Sequence, residues 1–242
     1  MTTLIKFIVA TILSISLFSC NYNFNTNMGA KGNGNVTTET RNINESFSSI
    51  KATQGIAVYL TQSNNESITV ITDENLQEHI LIDIEDDVLK IYTQNHISKA
   101  TIKKVEISFN NISNIISTSG SHVFSTNTID TESLNLKTTS GSSMKLDVST
   151  NYLNCASSSG SSLKLSGKTI NLKTESSSGS SIKAQDLNAE YTNAKASSGS
   201  QTTLNTSKEL TANTSSGAHI KYIGNPDKVR KNNSTSSRIE QI

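Results

Sequence analysis

Four lysines fall at one position of a repeating pattern in this 242-residue chain, and their spacing is the strongest chemical signal in it. Lys145, Lys164, Lys183 and Lys221 each stand four residues after a glycine, at Gly141, Gly160, Gly179 and Gly217. Phe124 and Thr203 hold the same place after Gly120 and Gly199. The preceding position carries Val123, Met144, Leu163, Ile182, Thr202 and Ile220, five of them apolar. In a strand, neighbours point to opposite faces, so an inward apolar residue places the lysine outward. If successive repeats stack, Lys145, Lys164 and Lys183 lie about 5 Å apart on one surface. Such a column would bind a repeating anion, an acidic glycan or lipid head groups. It also reads as a device that keeps an exposed sheet soluble. A second outward column, six residues before each glycine, is Asn114, Asn135, Asn154 and Asn193, interrupted by Lys173.

Other reactive side chains form no constellation. The histidines, His79, His96, His122 and His219, lack metal-ligand spacing, and no metal or cofactor is expected. His122 and His219 read as exposed corner residues five repeats apart, roughly 24 Å by stacking. Asp130, Asp147, Glu175 and Asp186 occupy different repeat positions, so they build no carboxylate pair of the kind that cleaves glycosides. Nucleophile-elbow, phosphate-loop, dinucleotide and EF-hand spacings do not occur. A catalytic role is therefore not expected. Asp73 to Lys90 carries seven acidic residues against one lysine and reads as a solvated face, with weak cation binding or head-to-tail association as alternatives.

The elements that would position the lysines follow from the glycines themselves. Gly120, Gly141, Gly160, Gly179, Gly199 and Gly217 are separated by 21, 19, 19, 20 and 18 residues, and a serine precedes each one. A period near twenty marks a solenoid in which each repeat is one coil stacked on the last. Seven residues before the glycine stand Ser113, Leu134, Leu153, Leu172, Thr192 and Leu210; five before it stand Ile115, Leu136, Cys155, Thr174, Ala194 and Ala212. Alternation directs these inward, which makes Cys155 a buried small residue rather than a reactive thiol. Glycine accepts positive φ at a sharp corner, and the serines before it are expected to face inward, hydroxyl upon hydroxyl. Serine 236 and Ile239 fit a degenerate last coil, and Pro226 a turn before it. The fold expected is all-β, a right-handed parallel β-helix, with a β-sandwich or β-prism as the alternative.

Ahead of the repeats, residues 45–116 alternate with period two: Ile56, Val58 and Leu60; Ile68 and Val70; Ile80, Ile82 and Ile84; Leu89 and Ile91; Val105, Ile107 and Phe109. They predict a strand-rich part continuous with the 117–242 helix, a turn at Asp86-Asp87, and at most one helical turn at Asp73–His79. Residues 20–44 are rich in Asn and Gly and read as a flexible tether. Lys6 and the apolar run Phe7–Phe18, too short to span a bilayer, read as a signal peptide over 1–19. Leu17-Phe18-Ser19-Cys20 resembles a bacterial lipobox, which implies cleavage before Cys20, its lipidation, and attachment to a membrane. The remaining 223 residues carry twenty basic and twenty acidic side chains, a balance that gives nucleic acid no footing. Cys155 is the only other cysteine, so stacked coils rather than an internal disulfide must hold the fold.

With these features aligned, the chain resembles the head GIN family of bacterial exported proteins, described as auto-transporter adhesins. The resemblance rests on Phe47-Ser-Ser-Ile-Lys-Ala52, Gly55-Ile-Ala-Val-Tyr-Leu60, Val88-Leu-Lys-Ile91, the serial Ser-Gly-Ser corners, and Ile220-Lys-Tyr-Ile-Gly-Asn-Pro226. It implies a β-helical lipoprotein of the cell envelope, on the outer membrane of a Gram-negative bacterium, with the leaflet open. The function expected is a binding or adhesin-like module engaging glycan through its outward faces. A scaffold for another envelope protein is the alternative, and a carbohydrate-active enzyme ranks behind both. Ligand and oligomeric state stay open.

Overall fold

From Ser143 to Thr214 inward and outward side chains alternate along four long strands, and each strand is one coil of a parallel stack. A computed structural model describes residues 29–42, 45–234 and 236–242. The expected signal segment and Cys20 lie outside the described residues. Ser143–Ser157, Ser162–Ser176, Ser181–Ala196 and Gln201–Thr214 pair in parallel, each with the next. The inward columns run Met144, Leu163, Ile182, Thr202, Ile220 and Leu134, Leu153, Leu172, Thr192, Leu210, in register and buried. The fold is thus the all-β parallel β-helix expected, with about seven turns. Stacking identical inward positions makes one continuous apolar core, and full burial of each leucine contributes roughly 1.5–3 kcal/mol.

Each Ser-Gly corner is a two-residue turn. At Thr118–Ser121 the Ser121 N–H donates to the Thr118 carbonyl at 3.1 Å, and Ser119 and Gly120 between them have φ of 51° and 71°. Positive φ at both central positions is the signature of a type I′ turn. All six serines before the glycines share this conformation, with φ from 51° to 54°. They do not face inward as alternation predicts; they sit exposed at the turn tip. Two tip residues interrupt the alternation, so the inward position passes to the residue after the glycine. Ser121, Ser142, Ser161, Ser180 and Ser200 are buried there, and Ala218 fills the sixth place.

The buried serine joins coils. Ser180 Oγ donates to the Ser157 carbonyl of the preceding coil at 2.7 Å and accepts the Ser177 N–H of its own corner at 3.2 Å. Ser142, Ser200 and Ser121 make the same bond to Ser117, Ser176 and Ala52. Beside them each corner glycine N–H donates to the serine carbonyl of the next coil, at 2.9–3.1 Å for Gly120 through Gly199. Each coil bends again without that motif. Asn151 and Tyr152 are exposed in succession, so the alternation slips one residue there. In the next coil Gly167, at φ 104°, packs so closely that a Cβ would lie 2.0 Å from the Val148 carbonyl oxygen.

The N-terminal part supplies two further coils, out of chain order. Ser49–Ala52 and Ala57–Gln62 stack on Asn114–Ser117 and His122–Ser125. Gln54 and Gly55, with φ of 56° and 69°, form a seventh corner there, and the Gly55 N–H donates to the Ser119 carbonyl. Val88–Thr93 and Lys103–Phe109 stack on the far side of that coil, although they come later in the chain. Antiparallel strands then close this end: Ile80–Glu85 on Val88–Thr93, Ser67–Asp73 on Lys103–Phe109, and Val36–Arg41 on Ser67–Asp73. Asp86 and Asp87 make the expected turn, and Glu74–His79 is a short 3-10 helix. The opposite end closes with Lys228–Asn233 and Arg238–Gln241. There Lys231, aligned with the inward Ala212, lays its ammonium 4.7 Å from the centre of the Tyr222 ring.

Residues 29–42, read from composition as tether, are instead docked on the domain. Ala30–Lys31 pairs with Ile97–Lys99. Gly32 leaves room for Asp73, whose carboxylate a Cβ would meet at 2.5 Å. Asp73 is buried and accepts three bonds, from the Gly34 N–H, the Thr101 N–H and the Thr101 hydroxyl, at 2.7, 2.7 and 2.9 Å. Burial pushes its pKa up, but the Thr101 and Gly34 donors outweigh it and hold the carboxyl below its usual 3.8.

Two outcomes follow from these contacts. Gly179→Ala meets nothing within 4 Å and is expected to cost about 1–2 kcal/mol, the left-handed penalty alone. Gly167→Ala must also displace backbone, so urea unfolding should show a distinctly larger loss for it. The Asp73 bonds stabilise the fold above the unfolded-state pKa near 3.8, and that contribution disappears as pH falls through the lower folded-state value. Melting temperature should therefore drop more steeply below pH 4 in the native chain than in Asp73→Asn, which lacks the titrating group.

Candidate functional site

The lysine column forms as its spacing predicts. Lys145 pairs with Lys164 and Lys164 with Lys183; Thr203 and Lys221 continue the row on the next two coils. Lys145, Lys164, Lys183 and Lys221 are exposed. Like charges opposed on adjacent strands repel, so each such pair costs stability unless a counter-charge lies nearby. Lys164 has Asp186 at 3.8 Å and Lys221 has Glu240 at 3.3 Å. Neither Lys145 nor Lys183 has a carboxylate within 4 Å among the described residues. Ser143, Ser162 and Ser181 form a hydroxyl row along one side. Along the other, Asp147 is engaged by the hydroxyls of Thr128 and Ser166 at 2.6 and 2.7 Å.

The column extends beyond the lysines toward the N-terminal end. Phe124 pairs with Lys145 on one side and Tyr59 on the other, and the two rings stack with centroids 5.1 Å apart. Lys104 lies 4.6 Å from the Tyr59 ring centre. His122 is exposed beside this row, its Nδ1 2.7 Å from Ser143 Oγ, and His219 is exposed at the other end. The asparagine column forms as well: Asn154 Nδ2 donates to Asn135 Oδ1 at 2.9 Å, so its amides are partly spent on one another.

Comparison with known proteins places the chain in a family. Residues 46–226 match the model described as "Putative auto-transporter adhesin, head GIN domain". The chain belongs to that family. In solved structures the head GIN domain is similar to a putative adhesin of Bacteroides fragilis, with TM-score 0.80 and 18% identity over 88% of this chain and 100% of that one. A putative adhesin of Parabacteroides merdae gives TM-score 0.72 and 18% identity over 88% and 98%. A putative lipid binding protein of Parabacteroides distasonis gives 0.72 and 17% over 88% and 99%. At such identities the likeness shows the fold alone. No curated protein matches the head GIN chain in sequence. The family's adhesin-like character points to the cell surface or envelope.

The remaining candidates in the head GIN domain divide by burial. Among the described residues, no group of three or more histidine, cysteine or acidic side chains is placed to hold a metal, and no helix is long and apolar enough to cross a membrane. Asp130 and Asp147 lie on adjacent coils, but Asp147 aligns with Ser166 and Asp186 whereas Asp130 aligns with Ser149 and Lys168. Glu175 is on a different strand segment, paired with Lys173 at 3.2 Å. Of the acidic stretch, Glu85 pairs with Lys90, Asp83 accepts the Tyr92 hydroxyl, and Asp73 is buried.

Sequence periodicity passes over one surface feature. An open channel of about 850 Å³ runs along the second bend, lined by five successive coils from Asp130 to Ser207. No glycine repeat marks that bend, and only paired exposed residues such as Asn151-Tyr152 signal it. Cys155 is buried, and loss of solvation pushes its thiol pKa well up, which removes the thiolate a nucleophile needs. In a Cys20→Ser chain, Cys155 should stay unreactive to a soluble aromatic disulfide until denaturant unfolds the coils; prompt reaction in the folded protein would contradict its burial.

Proposed function

We propose that this head GIN protein is a lipid-anchored module of the cell envelope that binds an acidic glycan along the Lys145–Lys164–Lys183 column. The observation that carries the reading is the register of those lysines, with two ammonium groups left without a carboxylate. A flat row of cations at ~4.8 Å intervals costs stability in the free protein. An extended polyanion lying along the solenoid axis would relieve that repulsion at every coil. The hydroxyl row of Ser143, Ser162 and Ser181 would add neutral hydrogen bonds to the same ligand. Anchoring through Cys20 would hold the helix at the membrane and present its faces outward, and several acyl chains on one cysteine make such attachment durable. The reading involves no bond-breaking step, no cofactor and no nucleic acid.

A second reading rests on the last coil. Lys228–Asn233 and Arg238–Gln241 each pair on one side only among the described residues, so their free edges can accept a strand from another envelope protein. Lys228 and Lys231 would favour an acidic partner, whereas Arg230 and Arg238 are already paired with Glu209 at 3.5 Å and Glu240 at 3.8 Å.

Replacing Lys145, Lys164 and Lys183 together by glutamine should abolish retention of acidic polysaccharides such as alginate and pectate on an array. It should leave the melting temperature unchanged or slightly raised. Salt should weaken wild-type retention steeply, because the attraction is between exposed charges. Equal retention by the triple variant would eliminate this column as the site.

A further inference from the structure

The channel over the second bend has the opposite character to the lysine face. Its floor is built from Thr150, Thr169 and Ala189, which are buried and in register. The two threonine hydroxyls bond to one another at 2.9 Å, so the floor is closed to solvent. Both walls project side chains at every coil. Ser149, Lys168, Asn188 and Asn205 form one wall; Glu132, Asn151, Ile170 and Glu190 stand on the other. Three carboxylates, Asp130, Glu132 and Glu190, oppose a single channel lysine, Lys168. Glu190 is neutralised by Lys208 at 2.6 Å, so the channel lacks the cation excess that a polyanion needs, while uncharged hydroxyls can both donate to Asp130 and Glu132 and accept from the amides.

Ile170 lines the channel, and Tyr152 and Tyr191 stand one residue beyond its wall. Tyr152, Ile170 and Tyr191 are 53%, 40% and 43% exposed, and no other large hydrophobic on the long-strand coils is so open among the described residues. Tyr152 and Tyr191 each follow a wall residue, Asn151 and Glu190, and both align with Asn171 of the coil between them. They therefore stand two coils apart, about 10 Å along the axis. Lys208 lies over one face of the Tyr191 ring, 5.5 Å from its centre, and is held there by Glu190 at 2.6 Å, while the side chain stays 43% exposed. No packing role accounts for these rings: Asn171 and Glu209 fill the same column on neighbouring coils. Exposed tyrosine on a rigid sheet offers an apolar face with a polar tip, at low entropic cost for binding.

We propose that this channel is a second binding site, for an uncharged linear polysaccharide lying parallel to the solenoid axis with Tyr152 and Tyr191 packed against its sugar rings. The repeat of ~4.8 Å per coil is close to the length of one sugar ring in an extended chain, so each coil meets one sugar. Amides and carboxylates on the walls take the hydroxyls, and the tyrosines, two coils apart, meet every second ring. The site is distinct from the lysine column: its nearest wall, Ser149 and Lys168, stands four residues further along each coil, and it takes a ligand of different charge.

The test is affinity electrophoresis of the intact soluble chain, Cys20→Ser, in gels containing linear β-glucan, xylan or mannan, with alginate as the acidic comparison. The wild-type protein should be retarded by at least one of the three neutral polymers. Tyr152→Ala/Tyr191→Ala should weaken that retardation at least tenfold with an unchanged melting temperature, since both rings are exposed. Lys145→Gln/Lys164→Gln/Lys183→Gln should keep it, while losing alginate. Retardation by none of the neutral polymers, or equal retardation of the tyrosine variant, overturns the proposal; loss of alginate binding alone bears only on the lysine column.

Discussion

One contact recurs at four of the corners, at Ser121, Ser142, Ser180 and Ser200: a buried hydroxyl bonded to a backbone carbonyl of the coil before it. Ser142, Ser180 and Ser200 each reach the carbonyl three residues before the preceding glycine, and each also satisfies an N–H of its own turn. The carbonyls belong to buried residues, so leaving one of them unpaired would cost about 1–3 kcal/mol, and the turn N–H groups are half-buried. The two positive-φ residues at the tip exist to place that hydroxyl. Glycine adopts the conformation freely; serine adopts it at a cost repeated six times. That cost is tolerated because the tip projects into solvent and the residue after it reaches the core.

Everything outward inherits its order from this inner one. Parallel pairing without slip from Ser143 to Lys164 keeps lysine above lysine and serine above serine. Register shifts begin just past that row, between Lys164 and Ser166, and recur toward the second bend, between Ala184 and Asn188 and between Ala189 and Tyr191. The solenoid thus has one regular edge, set by glycine corners, and one irregular edge where coil length varies. The lysine column lies beside the first and the channel lies over the second. A uniform charged row suits a periodic ligand read by charge; a channel of varied polar groups suits one read by hydrogen bonds and apolar contact.

The two ends of the solenoid are closed by different means. At the N-terminal end antiparallel strands, a 3-10 helix and the Asp73 network cover the apolar columns. At the C-terminal end the inward column itself turns polar, with Lys231 and Gln241 beneath Ala212 and Tyr222. A charge in an inward place discourages another copy from continuing the stack. One end is therefore covered by added structure, while the other keeps free strand edges whose charged inward residue disfavours another copy of this chain.

The repeated half of the fold was legible because its information is local. A glycine every eighteen to twenty-one residues, with apolar residues at fixed offsets, states coil length and inward face without reference to the rest of the chain. The lysine column, the exposed histidines and the buried Cys155 follow from that count. Three things were decided only by the tertiary structure. Tip geometry moved the inward hydroxyl from Ser119 and its equivalents to the residue after each glycine, because two left-handed residues break an alternation that sequence can only extend. Long-range pairing placed the 88–109 coil beyond the 49–62 coil and docked Gly29–Arg41 against Asp73 and His96, contacts about forty or more residues apart that composition read as tether. The channel arose last, since Tyr152 and Tyr191 share a column only after a bend that no repeated glycine marks. Periodicity specifies what each coil repeats; where the period is interrupted, only packing of distant segments determines what meets.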